Sequence, residues 1–222
     1  MRSGQKHPGF SLIELLTVIA VIAILATLII ASIQRVRTTA ALSKSISNLR
    51  SLQLANSLYS SDHNGWYVPI ASWTDEGEAV FWHNDPKFRA YFSLEPGNNW
   101  PSGLVAPKAE ITTSSGKLRL DRAYGYNITS MNGKWAEPGQ GYQVNRADIP
   151  NLDNKMAFAD ALDWIIHRDN ADDYTGEEVY TKHAIAYRYN GSAAVVYYSG
   201  RATGLPREEV IGNRGLWDIC ED

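Results

Sequence analysis

Residues 6–33 read KHPGFSLIELLTVIAVIAILATLIIASI, and the interpretation of this stretch decides the architecture. From Phe10 to Asn64 there is neither glycine nor proline, while Pro8 and Gly9 stand just before that window and Gly65 and Pro69 just after it. Both residue types disfavour helix interiors, so their placement predicts one uninterrupted helix. Its first half, Leu15 to Ile33, carries no formal charge. At about 1.5 Å per residue that half rises roughly 28 Å, close to the hydrocarbon thickness of a bilayer, and predicts a membrane-crossing segment. The second half turns amphipathic. Leu42, Ile46, Leu49, Leu52, Ala55 and Tyr59 recur at spacings of three and four, with Arg37, Lys44, Ser45, Asn48 and Arg50 assigned to other faces. A helix on the order of 75 Å exceeds what a small domain can cover, so half of it needs partners outside this chain, lipid or sister helices.

Glu14 is the anomaly inside the apolar run. An acidic side chain there costs about 2.5 to 3.5 kcal/mol on insertion scales and marks a functional position with a partner. Were the chain cut at Gly9-Phe10, the new amine of Phe10 would be the nearest candidate, on the same chain four residues away or on a neighbouring subunit. A glutamate at the start of the span that reaches headgroup water is the simpler alternative. Secretory signal peptides also pair a basic start with an apolar run, but they are cut after that run. Ala31-Ser32 would serve loosely as such a site, whereas a cut at Gly9-Phe10 leaves the helix on the mature chain.

The string from Lys6 to Ala20 closely resembles the class III leader and processing site of type IV prepilins and type II secretion pseudopilins. The resemblance implies that a prepilin peptidase cuts after Gly9 and methylates the new amine of Phe10. It also implies that Glu14, the fifth mature residue, meets the Phe10 amine of a neighbouring subunit during assembly. Further implied partners are other pilin or pseudopilin subunits, an inner-membrane assembly platform and the lipid bilayer. The topology implied is single-pass in the inner membrane, with a cytoplasmic N-terminus and an extracytoplasmic domain that enters a periplasmic or surface filament. Basic residues do not themselves set this orientation, because Arg2 and Lys6 precede the span while Arg35, Arg37 and Lys44 follow it. The organisation expected is a leader over 1–9, a membrane and assembly half-helix over 10–34, an amphipathic half over 35–64 and a β-rich globular domain over 65–222.

Composition fits that plan. A chain with 44% hydrophobic and 20% charged residues has material for one packed core, and a net charge of -3 lacks the basic excess of a nucleic-acid binder. The single Cys220 allows no disulfide within one chain and no multi-cysteine zinc site. After a turn at Ser61–Gly65, Trp66–Ile70 reads as a first short extended segment and Arg122–Asn127 and Lys155–Ala161 as two inner strands, with a short helix over Pro86–Phe92. A hairpin of Ala184–Arg188 with Ala193–Tyr198 around Asn190-Gly191 completes the reading. The fold class is therefore α+β, a long helix packed on a small antiparallel sheet domain. Arg188-Tyr189-Asn190-Gly191 and Ser199-Gly200 also resemble a degenerate form of a C-terminal motif of prepilin-like proteins, a His followed after nine residues by Asp-Gly. Tyr189 stands for the His and Ser199 for the Asp.

Candidate chemistry is sparse. Asp160, Asp163, Asp169, Asp172 and Asp173, with Glu177 and Glu178, suggest a calcium loop by composition. The EF-hand pattern is absent, so a solvated acidic loop is the plainer account and no metal or cofactor is assigned. His167 and His183 lack a zinc-ligand spacing. No nucleophile elbow, P-loop or dinucleotide fingerprint occurs, so no catalytic residue is assigned and the chain is read as a non-enzyme. Trp73, Trp82, Trp100 and Trp135 would offer a sugar-stacking face if exposed, and core packing is their commoner use. On the alternative reading the domain captures polysaccharide, and the helix only anchors it.

Overall fold

The computed structural model describes residues 12–97, 99–131 and 142–220, leaving out the side chains at 28, 31 and 32. The chain divides into two compact units, 1–39 and 40–222. Helix α1, Leu12–Asp62, supplies residues to both. It ends where predicted: Asn64 and Gly65 take positive φ of 53° and 87°, and Gly65 N–H donates to Ser60 O at 2.8 Å, closing the last turn.

In the second unit, β1 (Ala71–Trp73) and β2 (Ala79–Phe81) form a small antiparallel ribbon, followed by α2 (Pro86–Ala90). The main sheet contains β3 (Tyr124–Asn127), β4 (Met156–Asp160), β5 (Ile165–Ile166), β6 (Ser192–Tyr197) and β7 (Ala202–Pro206), in the order β5-β3-β4-β6-β7. All pairings are antiparallel except β3 with β5. Helices α3 (Arg207–Gly212) and α4 (Arg214–Trp217) follow. The fold class is thus the α+β arrangement anticipated, a long helix on small sheets.

Both faces of the sheet are covered, which explains why β4 and β6 read as continuous apolar runs without alternation. Tyr124, Tyr126, Phe158, Ala194 and Val196 join Leu49, Leu52, Ala55 and Tyr59 of α1 in one cluster. Ala159, Ala193, Val195 and Tyr197 join Val210, Leu216 and Trp217 of α3 and α4 in the other.

Residues 66–70 are the extended segment expected, paired without forming a regular strand: Trp66 bridges Asn145, and Tyr67 and Ile70 N–H donate to Val144 and Tyr142 carbonyls. Pro69 has no N–H to continue a ladder. The Asn190-Gly191 turn has the positive φ values of 52° and 79° that a tight reversal needs. Residues 184–188 do not pair along β6, however, because β4 and β7 already occupy both of its edges. They instead bridge Ala161 through Ile185, and the hairpin is β6 with β7.

The predicted inner face of α1 is also corrected. Leu49 and Leu52 have no exposed surface, as the apolar spacing requires, but so do Ser45, Gln53 and Asn56, while Asn48 is buried beside them. The helix packs through a mixed face. Its polar members bond outward to the domain: Asn48 Nδ2 to Val105 O at 3.2 Å, Gln53 Nε2 to Tyr198 O at 2.9 Å and Asn56 Nδ2 to Tyr126 Oη at 3.2 Å.

Candidate functional site

The first described turn of α1 holds Glu14, an exposed carboxylate. Thr17 Oγ1 donates to Glu14 O at 3.0 Å, and Thr27 Oγ1 to Ile24 O at 2.7 Å, so both threonine hydroxyls are absorbed by the helix backbone. Around them the large aliphatic residues are bare, from Leu12 at 87% exposure to Ile33 at 43% and Val36 at 66%. A helix apolar on every side is one made to be covered by lipid or by other helices.

Among the described residues no helix is long and apolar enough to cross a membrane. The membrane-crossing segment expected over Leu15–Ile33 is thus not found in the described structure. Gly9 and Phe10, the expected cleavage and methylation positions, lie outside the described residues, as does Trp135.

The five aspartates of the possible calcium loop do not converge. Asp163 accepts from Arg122 and from His183 N–H at 3.0 Å, Asp169 lies 3.6 Å from His167 Nδ1, and Asp173 accepts from Asn170 at 2.7 Å. Asp172 pairs with Arg207 at 2.5 Å. Among the described residues no group of three or more His, Cys, Asp or Glu is placed to hold a metal ion.

Asp160 lies apart from its loop neighbours, fully buried at the end of β4. Ser45 Oγ of α1 donates to its Oδ1 at 2.8 Å, and Ala194 N–H of β6 to its Oδ2 at 2.6 Å. Arg188 Nη1 approaches at 3.6 Å. The Arg188 side chain is itself buried. It donates to the carbonyls of Ala123, Arg122 and Ala161 at 2.9–3.1 Å, and to both oxygens of Glu178. Burial pushes the Asp160 carboxyl up to about 7 despite the opposing pull of Arg188, the Ala194 N–H and Ser45. This cluster ties α1, β4, β6 and residues 178–188 together. Composition reasoning missed it because its members are far apart in sequence. The available signal was Arg188, a lone cation beside a tight turn in an otherwise apolar run.

The two positions aligned with the degenerate C-terminal motif are not brought together. Tyr189 is buried before β6, and Ser199 lies in the turn after it, so the whole strand separates them. Of the tryptophans, Trp82 is a core residue whose Nε1 donates to Trp164 O at 2.7 Å, and Trp100 donates to His83 O at 2.9 Å. They do not form an exposed stacking face. Cys220 is half-buried against the core that contains α1.

Compared with known families, residues 5–30 match the one described as the prokaryotic N-terminal methylation motif. That match is of the class III prepilin-leader type, and it includes the first described residues of the bare helix. No curated protein and no solved structure matches the chain.

Proposed function

We propose that this chain is a structural subunit, a pseudopilin or minor pilin, of a type II secretion or type IV pilus-like filament, and not an enzyme. The observation that carries this reading is the coincidence of a methylation motif over residues 5–30 with a helix whose described large aliphatic side chains stand bare between Leu12 and Val36. At about 25 cal/mol per Å² of apolar surface, such a helix is strongly driven to find lipid before assembly and sister helices after it. The sequence over Leu15–Ile33 supports an inner-membrane residence, and the methylation motif over residues 5–30 supports an orientation with residues 65–222 outside the cytoplasm. Prepilin peptidase removes residues 1–9 and methylates Phe10. An assembly platform then hands the subunit to a growing bundle, in which head-to-tail contacts propagate without closing.

Glu14 provides the selectivity of that step. The Phe10 ammonium and the Glu14 carboxylate of adjacent subunits neutralise one another on docking, and the pair fixes the axial register, since a slipped helix leaves both charges in an apolar bundle. Glu14→Leu is expected to remain membrane-inserted and folded while its incorporation into sheared filaments falls about ten-fold or more. Normal incorporation of that variant would remove the proposed contact.

A further inference from the structure

Residues 82–121 of the second unit surround a cavity of about 260 Å³ that neither the helix nor the buried Asp160 cluster uses. Its wall includes His83, Asn84, Arg89, Trp100, Arg119 and Asp121. Local structure explains how they meet. Asp85 caps α2 by accepting Phe88 N–H at 2.8 Å, which fixes the Trp82–Asn84 turn against that short helix. The carbonyl of His83 then receives both Trp100 Nε1 at 2.9 Å and Arg89 Nη1 at 3.3 Å. Arg89 also donates to Glu95 O at 3.1 Å, and its guanidinium lies 5.2 Å from the centre of the Trp100 ring. Across the cavity Arg119 holds Asp121, with Nε donating to Oδ1 at 3.1 Å.

His83 is the residue that the fold leaves unfinished. It is only 8% exposed, and its Nδ1 is buried with no hydrogen-bond partner. Burial lowers its pKa to about 4, so the ring is neutral near pH 7 and carries one proton. A buried N–H without an acceptor is rarer in folded proteins than a bare acceptor, which puts that proton on Nε2. The wall therefore combines an imidazole donor, two guanidiniums, an amide, one carboxylate already paired and an indole. With His83 neutral, the formal charges of Arg89, Arg119 and Asp121 leave an excess of one positive charge. Oxygen-rich ligands with a negative charge fit such a donor-rich, slightly cationic wall, and the indole suits a ring that also has an apolar face. The volume lies just below the usual range for small-molecule sites and suits one ring.

We propose that this cavity binds a single carboxylate-bearing sugar ring, a uronic acid unit. The Arg89 and Arg119 side of the wall takes the carboxylate, His83 and Asn84 take hydroxyls, and Trp100 forms the apolar wall. A filament subunit with such a site would recognise acidic polysaccharide as well as its sister subunits.

The test uses the full chain in detergent, titrated with sodium glucuronate, glucose or sodium acetate. Tryptophan fluorescence and the imidazole nitrogen resonances of His83 are the readouts. Saturable glucuronate binding that shifts the His83 resonances is expected, with glucose and acetate each about ten-fold weaker or more. Asn84→Trp, which adds bulk at an exposed wall position, should weaken glucuronate about ten-fold without changing thermal unfolding, and His83→Phe should weaken it similarly. The proposal is overturned if glucuronate fails to saturate at about 10 mM or if acetate or glucose binds as well. Unmoved His83 resonances or full binding by Asn84→Trp would overturn it equally.

Discussion

Asp160 is where burial and charge pull hardest against each other in this molecule. An unfolded aspartate titrates near about 3.9, whereas the folded carboxyl is pushed up to about 7. Between those values the native state holds a proton that the unfolded chain lacks, so this residue's stabilising contribution, complete below about pH 4, is lost as pH rises through 7. Arg188, Glu178, Tyr124 and Tyr189 are the other titratable groups that interact with it, and Arg188 and Glu178 belong to the same ionic cluster. Denaturant unfolding of the full chain should therefore show native stability falling from about pH 4.5 to 7.5 more steeply than in Asp160→Asn, which has no such proton to lose. Parallel pH profiles for the two proteins would contradict the assignment. Nothing near Asp160 in the sequence announces this role. Its partners Ser45, Arg188 and Ala194 come from three separate segments, and a window of nearby acids made it look like one more loop carboxylate.

At the level of elements, α1 and the sheet are joined by a face that is polar and apolar in alternating rows. Asn56 shows what the polar row contributes: its Nδ2 donates to Tyr126 Oη at 3.2 Å, and its Oδ1 accepts Val68 N–H at 3.0 Å. Asn56→Leu keeps the volume but strands a backbone N–H and a phenol in the core, and is expected to cost about 2 to 4 kcal/mol in chemical unfolding. Gly125 of β3 makes a second test. A Cβ there would lie 2.7 Å from Ile166 Cγ2, 2.8 Å from Asp163 O and 2.9 Å from Ala161 Cβ. At Gly204 of β7 the first atom met is Leu42 Cδ2 at 2.9 Å, the movable tip of a side chain. Gly125→Ala should thus lose about 1 to 3 kcal/mol and Gly204→Ala clearly less, as the two melting temperatures will report. The helix, its stop at Asn64-Gly65 and α2 were legible in the sequence, because local chemistry sets them: missing breakers, a left-handed pair and a proline after an aspartate cap. The mixed face of α1 and the displaced hairpin were not. A periodicity argument that sends every polar residue outward cannot find a buried amide row, and pairing of residues 184–188 with β6 was decided by competition from β4 and β7.

Taken as a whole, the molecule pairs a well-buried domain, residues 40–222, with a unit rich in bare aliphatic side chains, residues 1–39. The first needs no partner to close its core. The second reaches a favourable environment only when something apolar surrounds it, and the methylation motif over residues 5–30 points to the processing that prepares it for a filament. The Phe10 amine exists only after cleavage, so the proposed Glu14 contact, the register it would set and the assembly it would permit all rest on that event. Intact mass spectrometry of the protein purified from the membranes of its own cells is the direct test. The account predicts an N-terminus at Phe10 with one methyl group on its amine, whereas a chain beginning at Met1, or anywhere beyond Ile33, would contradict it.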